Sequence, residues 1–175
     1  MGIKGTRQRN TKILDSVDAI LELAKKENLC DLNCKRLDVY GLANKLGLSV
    51  LECDMLSEQS GYLKQENGRW VIGVNKKHHP KRKRFTIAHE LGHFIKHRKS
   101  SQSFDDTTFF RKQNDASIEY DANNFAAELL MPRDLFLQEI RSGNNTIEGL
   151  ADTFDVSSMA VKYRAKTLGL SGHGL

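Results

Sequence analysis

A chain of 175 residues with a formal net charge of +5 and 39% apolar residues fits one soluble domain, or one domain plus a small appendage. No apolar run approaches the length of a membrane span and the first residues lack an apolar signal core, so the sequence excludes a membrane-spanning protein and favours a cytoplasmic one. The three cysteines, Cys30, Cys34 and Cys53, form no paired framework, and reduced thiols are expected.

Two helices are predicted before the first strand. Apolar residues recur at helical spacing between 13 and 24, which predicts an amphipathic helix from about residue 11 to residues 26–29. A shorter helix is expected at 37–46, and Gly47 is a common helix stop. We expect these helices to form a layer against a small sheet.

A short strand and a hairpin follow. Residues 48–52 have strand-like composition, as do 62–63 and 70–74. The segment Glu66-Asn67-Gly68 between the last two is typical of a tight hairpin turn. The sequence therefore predicts a small mixed or antiparallel sheet.

A dense basic run occupies residues 76–84 and leads into the next helix. Such a run can bind nucleic acid or an acidic partner. A solvated loop is the favoured alternative, because no aromatic residues alternate with the charges as they do in proteins that bind single strands.

Residues 86–94 contain the pattern His-Glu-x-x-His within an apolar, helix-compatible run. His89 and His93 lie four residues apart, so on a helix their imidazoles share one face and can bind one metal ion. Glu90 lies beside that point, where a carboxylate can take the proton of a water acidified by zinc. A chance match on a surface helix is the alternative, but apolar neighbours are present to bury the rest of the helix. These neighbours are Ile87, Ala88, Leu91, Phe94 and Ile95.

Two flanking segments are candidates for completing a substrate site. The strand at 70–74 precedes the His-Glu-x-x-His helix, and in zinc peptidases such a strand often borders the cleft and binds an extended substrate at its edge. An ordinary sheet strand is the alternative. The polar stretch 98–111 is either a lid over the site or a loop packed by its own aromatic residues.

A third protein ligand is expected from the helix predicted at 116–131, which Pro132 ends. Two histidines leave a zinc site one ligand short, and a carboxylate commonly supplies it. The candidates are Glu119, Asp121 and Glu128. Glu119 is favoured because it shares a helix face with small residues that allow close approach to another helix, whereas Asp121 points the other way and Glu128 lies over two turns later.

The C-terminal part is predicted to be helical. Residues 133–141 form one amphipathic segment, Thr146 can cap a helix at 147–154, and Gly169 stops a last helix at 158–168. The final pair is similar to a DNA-reading helix-turn-helix, although helical hairpins also serve simply to pack. The candidate phosphate contacts are Lys162, Arg164 and Lys166, while Tyr163 and Leu168 are candidates for anchoring the hairpin in the core.

Two motifs in this order resemble the ImmA/IrrE-type zinc metallopeptidases. The first is Arg-Phe-Thr-Ile-Ala-His-Glu-Leu-Gly-His at 84–93, and the second is Glu-Tyr-Asp-Ala-Asn-Asn-Phe-Ala-Ala-Glu-Leu-Leu-Met-Pro at 119–132. Weaker similarity extends over 37–48 and 150–170. The resemblance implies a zincin-like α+β fold, with a small sheet packed against the active-site helix, several further helices and a C-terminal helical hairpin.

The resemblance also implies roles for particular residues and a class of substrate. Zinc would be bound by His89, His93 and Glu119, and Glu90 would be the catalytic base. The substrate implied is a helix-turn-helix transcriptional repressor of a mobile element, prophage or stress response, which the enzyme would inactivate by cleavage to release the repressed genes.

Three further residues are candidates for stabilising the oxyanion formed during peptide hydrolysis: His97, one turn further along the same helix, Tyr120 and Tyr62. For His97 an ordinary surface position is an equal alternative. Asn123 is a candidate for orienting Glu119 or a neighbouring backbone group.

Two other functions stay open at this level: a non-catalytic anti-repressor stabilised by zinc, and a regulator that binds DNA directly. For the domain organisation, we expect a metallopeptidase domain with its N-terminal helices at 1–143. A helix-turn-helix-like tail at 144–175 would pack on that domain.

Overall fold

A computed structural model of the chain describes residues 15–31, 33–97 and 115–170. These ranges contain seven helices and three strands in a mixed α+β arrangement. None of the helices in the described ranges is long and apolar enough to span a membrane. The elements are α1 (Val17–Lys26), α2 (Val39–Lys45), β1 (Leu48–Cys53), β2 (Gly61–Glu66), β3 (Arg69–Asn75), α3 (Pro80–His97), α4 (Asp115–Leu130), α5 (Arg133–Arg141), α6 (Ile147–Thr153) and α7 (Ser158–Thr167).

The sheet is mixed and has the strand order β1-β3-β2. β3 is central, parallel to β1 and antiparallel to β2. The hairpin turn is as predicted, since Asn67 and Gly68 have φ values of 50° and 75°, the left-handed conformations of a primed turn. Of the two interpretations offered for the strand at 70–74, the ordinary sheet strand is correct, because β3 has a neighbour on both sides. β1 and β2 are the edge strands, and the cleft is lined by β2.

The basic run does not form a solvated loop throughout, because α3 begins at Pro80. Its cations are largely compensated by carboxylates of neighbouring elements, which removes much of the free charge that a nucleic-acid contact would need. The ion pairs join Lys76 and Lys77 to Asp54, Lys81 to Asp152, Lys83 to Glu52, and Arg84 to Asp155.

The core lies between the sheet, α3 and α4. The apolar residues of α3 that were expected to be buried are at most 7% exposed. α3 and α4 approach each other closely at Gly92, where an added Cβ would lie 3.1–3.2 Å from atoms of Phe125 and Ala122. This confirms that small residues let the two helices pack closely, and it brings the polar face of α4 to the histidines of α3.

The C-terminal helices follow the predicted pattern. Thr146 caps α6 by accepting a hydrogen bond from the backbone of Gly149, and α7 packs against α6 and α4. Arg164 is only 6% exposed, and its Nε donates to the carbonyl of Met131. Its prediction as a phosphate contact was therefore wrong, because the guanidinium is used to hold α7 against the end of α4.

The connection between α1 and α2 differs from expectation at its cysteines. Cys30 and Cys34 are joined in a disulfide, with Cα atoms 4.9 Å apart, and were not the reduced thiols predicted. The backbone at Cys34 has a φ of 50°, a turn that brings the two side chains together. Cys53 is a free thiol, as expected.

Candidate metal centre

Three side chains from two helices converge at one point. His89 and His93 project from one face of α3, and Glu119 reaches them from α4. The Nε2 atoms of the histidines lie 2.9 Å apart, and each lies 3.2 Å from a different oxygen of Glu119. His93 is almost fully buried, while the side chain of Glu119 is 41% exposed. The cluster thus has a buried side and a side open to solvent.

The donor set fits a divalent metal ion. Two imidazole nitrogens and a carboxylate are ordinary zinc ligands, and in a tetrahedral site with bonds of about 2.0–2.1 Å the ligand atoms lie about 3.3 Å apart. The contacts of 2.9–3.2 Å among His89, His93 and Glu119 are close to that spacing. Two imidazole nitrogens and two carboxylate oxygens at these distances need a positive charge among them, which a proton on an imidazole or a metal ion can supply. These three residues could therefore hold a metal ion.

A neighbouring amide fixes the orientation of the first histidine. Oδ1 of Asn123 lies 2.9 Å from Nδ1 of His89, where it can accept the proton of that nitrogen. When His89 is neutral, this tautomer leaves the lone pair of Nε2 directed at Glu119 and His93, where a metal ion would lie. The sequence pointed to Asn123 as a supporting residue, but its partner was predicted wrongly: it contacts His89 and not Glu119.

Ionic interactions in the cluster follow from this geometry. Hydrogen bonds from His89 and His93 hold the pKa of Glu119 well below its ordinary value, so the carboxylate is ionised. Burial alone would lower the pKa of His89, but the hydrogen bond to Glu119 and the nearby carboxylates outweigh it, and the pKa is raised. A proton on His89 and a metal ion would compete for the same place.

Glu90 lies next to the cluster without joining it. Its side chain is nearly enclosed, with 7% of the residue exposed, yet it lines the same cleft as the histidines. Burial raises the pKa of Glu90, although the neighbouring histidines partly oppose this. A carboxylate with a raised pKa, open to one cleft, is suited to accept and return a proton near neutral pH.

The cleft has a volume of about 1270 Å³ and two distinct walls. One wall is formed by the segment 59–64, which includes the start of the edge strand β2. The opposite wall is formed by the first half of α7, from Ser157 to Tyr163, where Met159 is 80% exposed. Residues of α3, including His89 and His93, line the cleft between these segments, and Glu119 joins them from α4.

The sequence profile described as the IrrE N-terminal-like domain of the M78 peptidases matches residues 43–166. The chain belongs to this family. The M78 match extends from within α2 into α7 and includes His89, His93 and Glu119. The comparison with curated proteins gives no match.

A solved structure of a Mycobacterium tuberculosis transcriptional regulator has a similar fold, with a TM-score of 0.63 and 18% sequence identity. The similarity covers 93% of this M78 chain and 50% of the mycobacterial one. The chain thus spans about half the length of that regulator.

Of the remaining predicted residues, Tyr62 lines the cleft and Tyr120 does not. The ring of Tyr62 covers Gly73 and its hydroxyl lies 3.6 Å from Sγ of Cys53, so it extends across β3 towards β1. Tyr120 is 57% exposed and is not among the residues that line the cleft. The side chain of His97 and the predicted lid at 98–111 lie outside the described residues.

Asp121 and Glu128, the other two candidate ligands, line a separate hollow near Lys96. The structure thus brings Glu119 to the histidines and not these two. Tyr163 packs against the core, as predicted, and it also lines the cleft, which the sequence did not indicate. Its hydroxyl donates to Oδ1 of Asn124 at 2.8 Å, and only the packing of α7 on α4 brings it to the cleft.

Proposed function

We propose that this M78 chain is a zinc-dependent endopeptidase that cleaves a helix-turn-helix transcriptional repressor. The observation that supports the peptidase activity best is the position of the His89–His93–Glu119 cluster. It lies beside a buried carboxylate and opens onto a cleft with a strand edge along one wall. A site of this shape can hold an extended polypeptide across a metal ion.

The free edge of β2 offers backbone groups to such a polypeptide. Asn75 donates its backbone N–H to the carbonyl of Ser60, so Ser60 and every second residue after it bond towards β3. The alternate residues, Gly61 and Leu63, then direct their N–H and C=O groups away from the sheet. Both residues line the cleft, and a substrate strand can pair with them.

The close approach of β2 to α3 brings this edge to the proposed base. A Cβ added to Gly61 would lie 2.5 Å from Cγ2 of Thr86 and 3.7 Å from Oε1 of Glu90. Only a residue without a side chain fits there. A strand bound to this edge would therefore carry one of its peptide bonds past Glu90.

The chemistry follows from these positions. His89, His93 and Glu119 would hold the zinc ion, which when bound would supply Lewis acidity to a peptide carbonyl and to water. Glu90 accepts the proton of the attacking water and donates it to the leaving nitrogen. Asn123 keeps His89 in the tautomer that a metal ligand requires.

A repressor substrate is supported by the resemblance of the two central motifs to ImmA/IrrE-type proteins. Direct DNA binding by this chain has less support. Arg164 is buried, and most cations of the basic run have carboxylate partners within the chain. Lys162 and Lys166 remain exposed on α7.

The test is to incubate the zinc-loaded protein with any helix-turn-helix repressor whose gene neighbours its own, and to identify products by mass spectrometry. We expect cleavage at one position, abolished by a chelator and restored by zinc. Glu90→Gln should abolish cleavage while zinc content stays near one per chain, whereas His89→Ala or Glu119→Ala should lower zinc content.

One result would contradict the proposed role of Glu90, and another would contradict the peptidase activity itself. Full cleavage by the Glu90→Gln variant would remove Glu90 from its role as base. A repressor that is bound and released from DNA but stays intact with zinc present would instead support the non-catalytic anti-repressor.

A further inference from the structure

One cation of the basic run differs from the others. The run contains six lysines and arginines, and ion pairs to carboxylates involve Lys76, Lys77, Lys81, Lys83 and Arg84. Arg82 has no carboxylate partner among the residues that the structure describes. It is also the member of the run that lines the metal cleft.

Arg82 is held at the cleft wall while its charge stays available. Its Nη2 donates to Oγ of Ser60 at 2.9 Å, immediately before the strand edge that starts at Gly61. The other cleft-lining cation is different, because Nζ of Lys64 lies 2.6 Å from Glu66. A guanidinium has five N–H donors, so one bond to a hydroxyl leaves most of its donors for another group.

The position of Arg82 on α3 sets its distance from the metal cluster. It lies seven residues before His89, which is nearly two full turns, so the two residues share a helix face. At about 1.5 Å per residue, their Cα atoms are about 10 Å apart. An extended peptide advances about 3.3 Å per residue, so this distance corresponds to about three substrate residues.

We propose that Arg82 is a specificity-determining residue that binds an acidic side chain of the polypeptide substrate, about three residues from the one at the metal. The proposal rests on the proposed peptidase function. The carboxylates of the cleft, Glu90 and Glu119, lie at the metal end, so a substrate carboxylate near Arg82 is separated from them. Arginine and carboxylate form charge-assisted, often bidentate hydrogen bonds, which suit recognition at one position of a chain.

The test separates binding from cleavage. The zinc-loaded Glu90→Gln protein serves as bait for a displayed library of random peptides, and is compared with the Glu90→Gln/Arg82→Glu double variant. Lys77→Glu in the same background is the matched control, since Lys77 belongs to the same run, is 65% exposed and does not line the cleft. Melting temperature and zinc content are measured for the parent bait and for every variant of it.

We expect the parent bait to enrich Asp and Glu over Lys and Arg at one peptide position. Arg82→Glu should reduce this ratio by about tenfold or reverse it, because attraction is replaced by repulsion. Arg82→Gln should remove the preference, and Lys77→Glu should leave it unchanged. The same acidic preference in the Arg82→Glu bait, or no enrichment of acidic peptides by the parent, would overturn the assignment.

The enriched peptides are then given to the zinc-loaded protein with Glu90 intact. Cleavage about three residues from the acidic position supports both proposals. Peptides that bind with the acidic preference but stay uncut would refute the peptidase function while supporting the role of Arg82 in polypeptide binding. If the protein with Glu90 intact cleaves the peptides but the Arg82→Glu bait keeps the same acidic preference, only the proposed role of Arg82 is refuted.

Discussion

The side-chain oxygen of Asn123 lies 2.9 Å from Nδ1 of His89, on the side of the ring opposite to the metal cluster. Asn123 lies one turn after Glu119 on the same helix. α4 therefore provides one proposed ligand directly and fixes the orientation of another through Asn123. Glu119 and Asn123 of α4 both contact His89 of α3, so the geometry of the cluster depends on how α4 lies against α3.

Replacing Asn123 by alanine should weaken zinc binding without removing a ligand. Loss of the acceptor frees the ring of His89 to rotate or change tautomer, and removal of such a partner typically reduces metal affinity by about 10–100-fold. The measurement is competition for zinc with a chromophoric chelator. Asn124→Ala is the matched control, because Asn124 bonds to Tyr163 and not to a proposed ligand. Equal affinities for the two variants would contradict the role of Asn123.

The close contact at Gly92 leads to a graded prediction. Gly92→Ala needs shifts of a few tenths of an ångström, since its Cβ would lie 3.1–3.2 Å from Phe125 and Ala122. Gly92→Val adds two methyl groups that have no room, and overpacking of this kind costs about 1–3 kcal/mol. We expect zinc affinity and the free energy of unfolding to fall in the order Gly, Ala, Val. Chelator competition and urea unfolding measure the two quantities, and unchanged zinc affinity in Gly92→Val would show that α4 is not displaced.

Arg84 should contribute more to stability than its neighbour Lys83. Its Nη1 donates to the carbonyl of Leu37 at 2.7 Å and its Nε to the carbonyl of Asp155 at 3.0 Å, so it joins α3 to the segments before α2 and between α6 and α7. Arg84→Met removes the donors from these carbonyls and should cost about 2–3 kcal/mol. Lys83→Met breaks only the pair with the half-exposed Glu52 and should cost less than about 1 kcal/mol. Urea unfolding at neutral pH compares them, and similar losses would refute the difference.

Glu139 should make part of the stability dependent on pH. Hydrogen bonds from Lys35 and Asn144 hold the pKa of Glu139 below its ordinary value of 4.5. A depressed pKa in the folded state means that the stabilisation is present above pH 4.5 and is lost as the pH falls through the lower value. Glu139→Gln should therefore be less stable than the parent at pH 7, by up to about 1 kcal/mol, with a smaller difference in acid. Thermal unfolding across pH 3–7 measures this, with the exposed Glu148→Gln as control; a difference that grows in acid would contradict it.

The parts of the fold that the sequence predicted well depend on local patterns. The limits of α5 match the prediction, and the hairpin turn needs the left-handed conformations that Asn67 and Gly68 adopt easily. The spacing of His89 and His93 fixes a shared face on any helix. Glu119 was favoured by its own helix face, because small residues on that face allow the close packing seen at Gly92.

The parts that the sequence did not predict depend on which elements become neighbours. Whether β2 or β3 becomes an edge strand depends on which of the two strands pairs with β1. The sequence of the hairpin does not indicate that partner. Arg84 and Arg164 are chemically similar to surface arginines, and only their distant carbonyl partners explain their burial. Arg82 differs from the rest of its run only in its partners and in its place on the cleft wall, both of which depend on the folded structure.

The proposed ligands belong to two separate helices, α3 and α4, and a bound ion would act as a bridge between them. Removing the ion would therefore loosen the contact between these helices as well as stop the chemistry. In a cell starved of zinc, the apo-protein would be exposed to degradation sooner than the loaded form. The amount of protein present would then follow the supply of the metal, even where its gene is fully expressed.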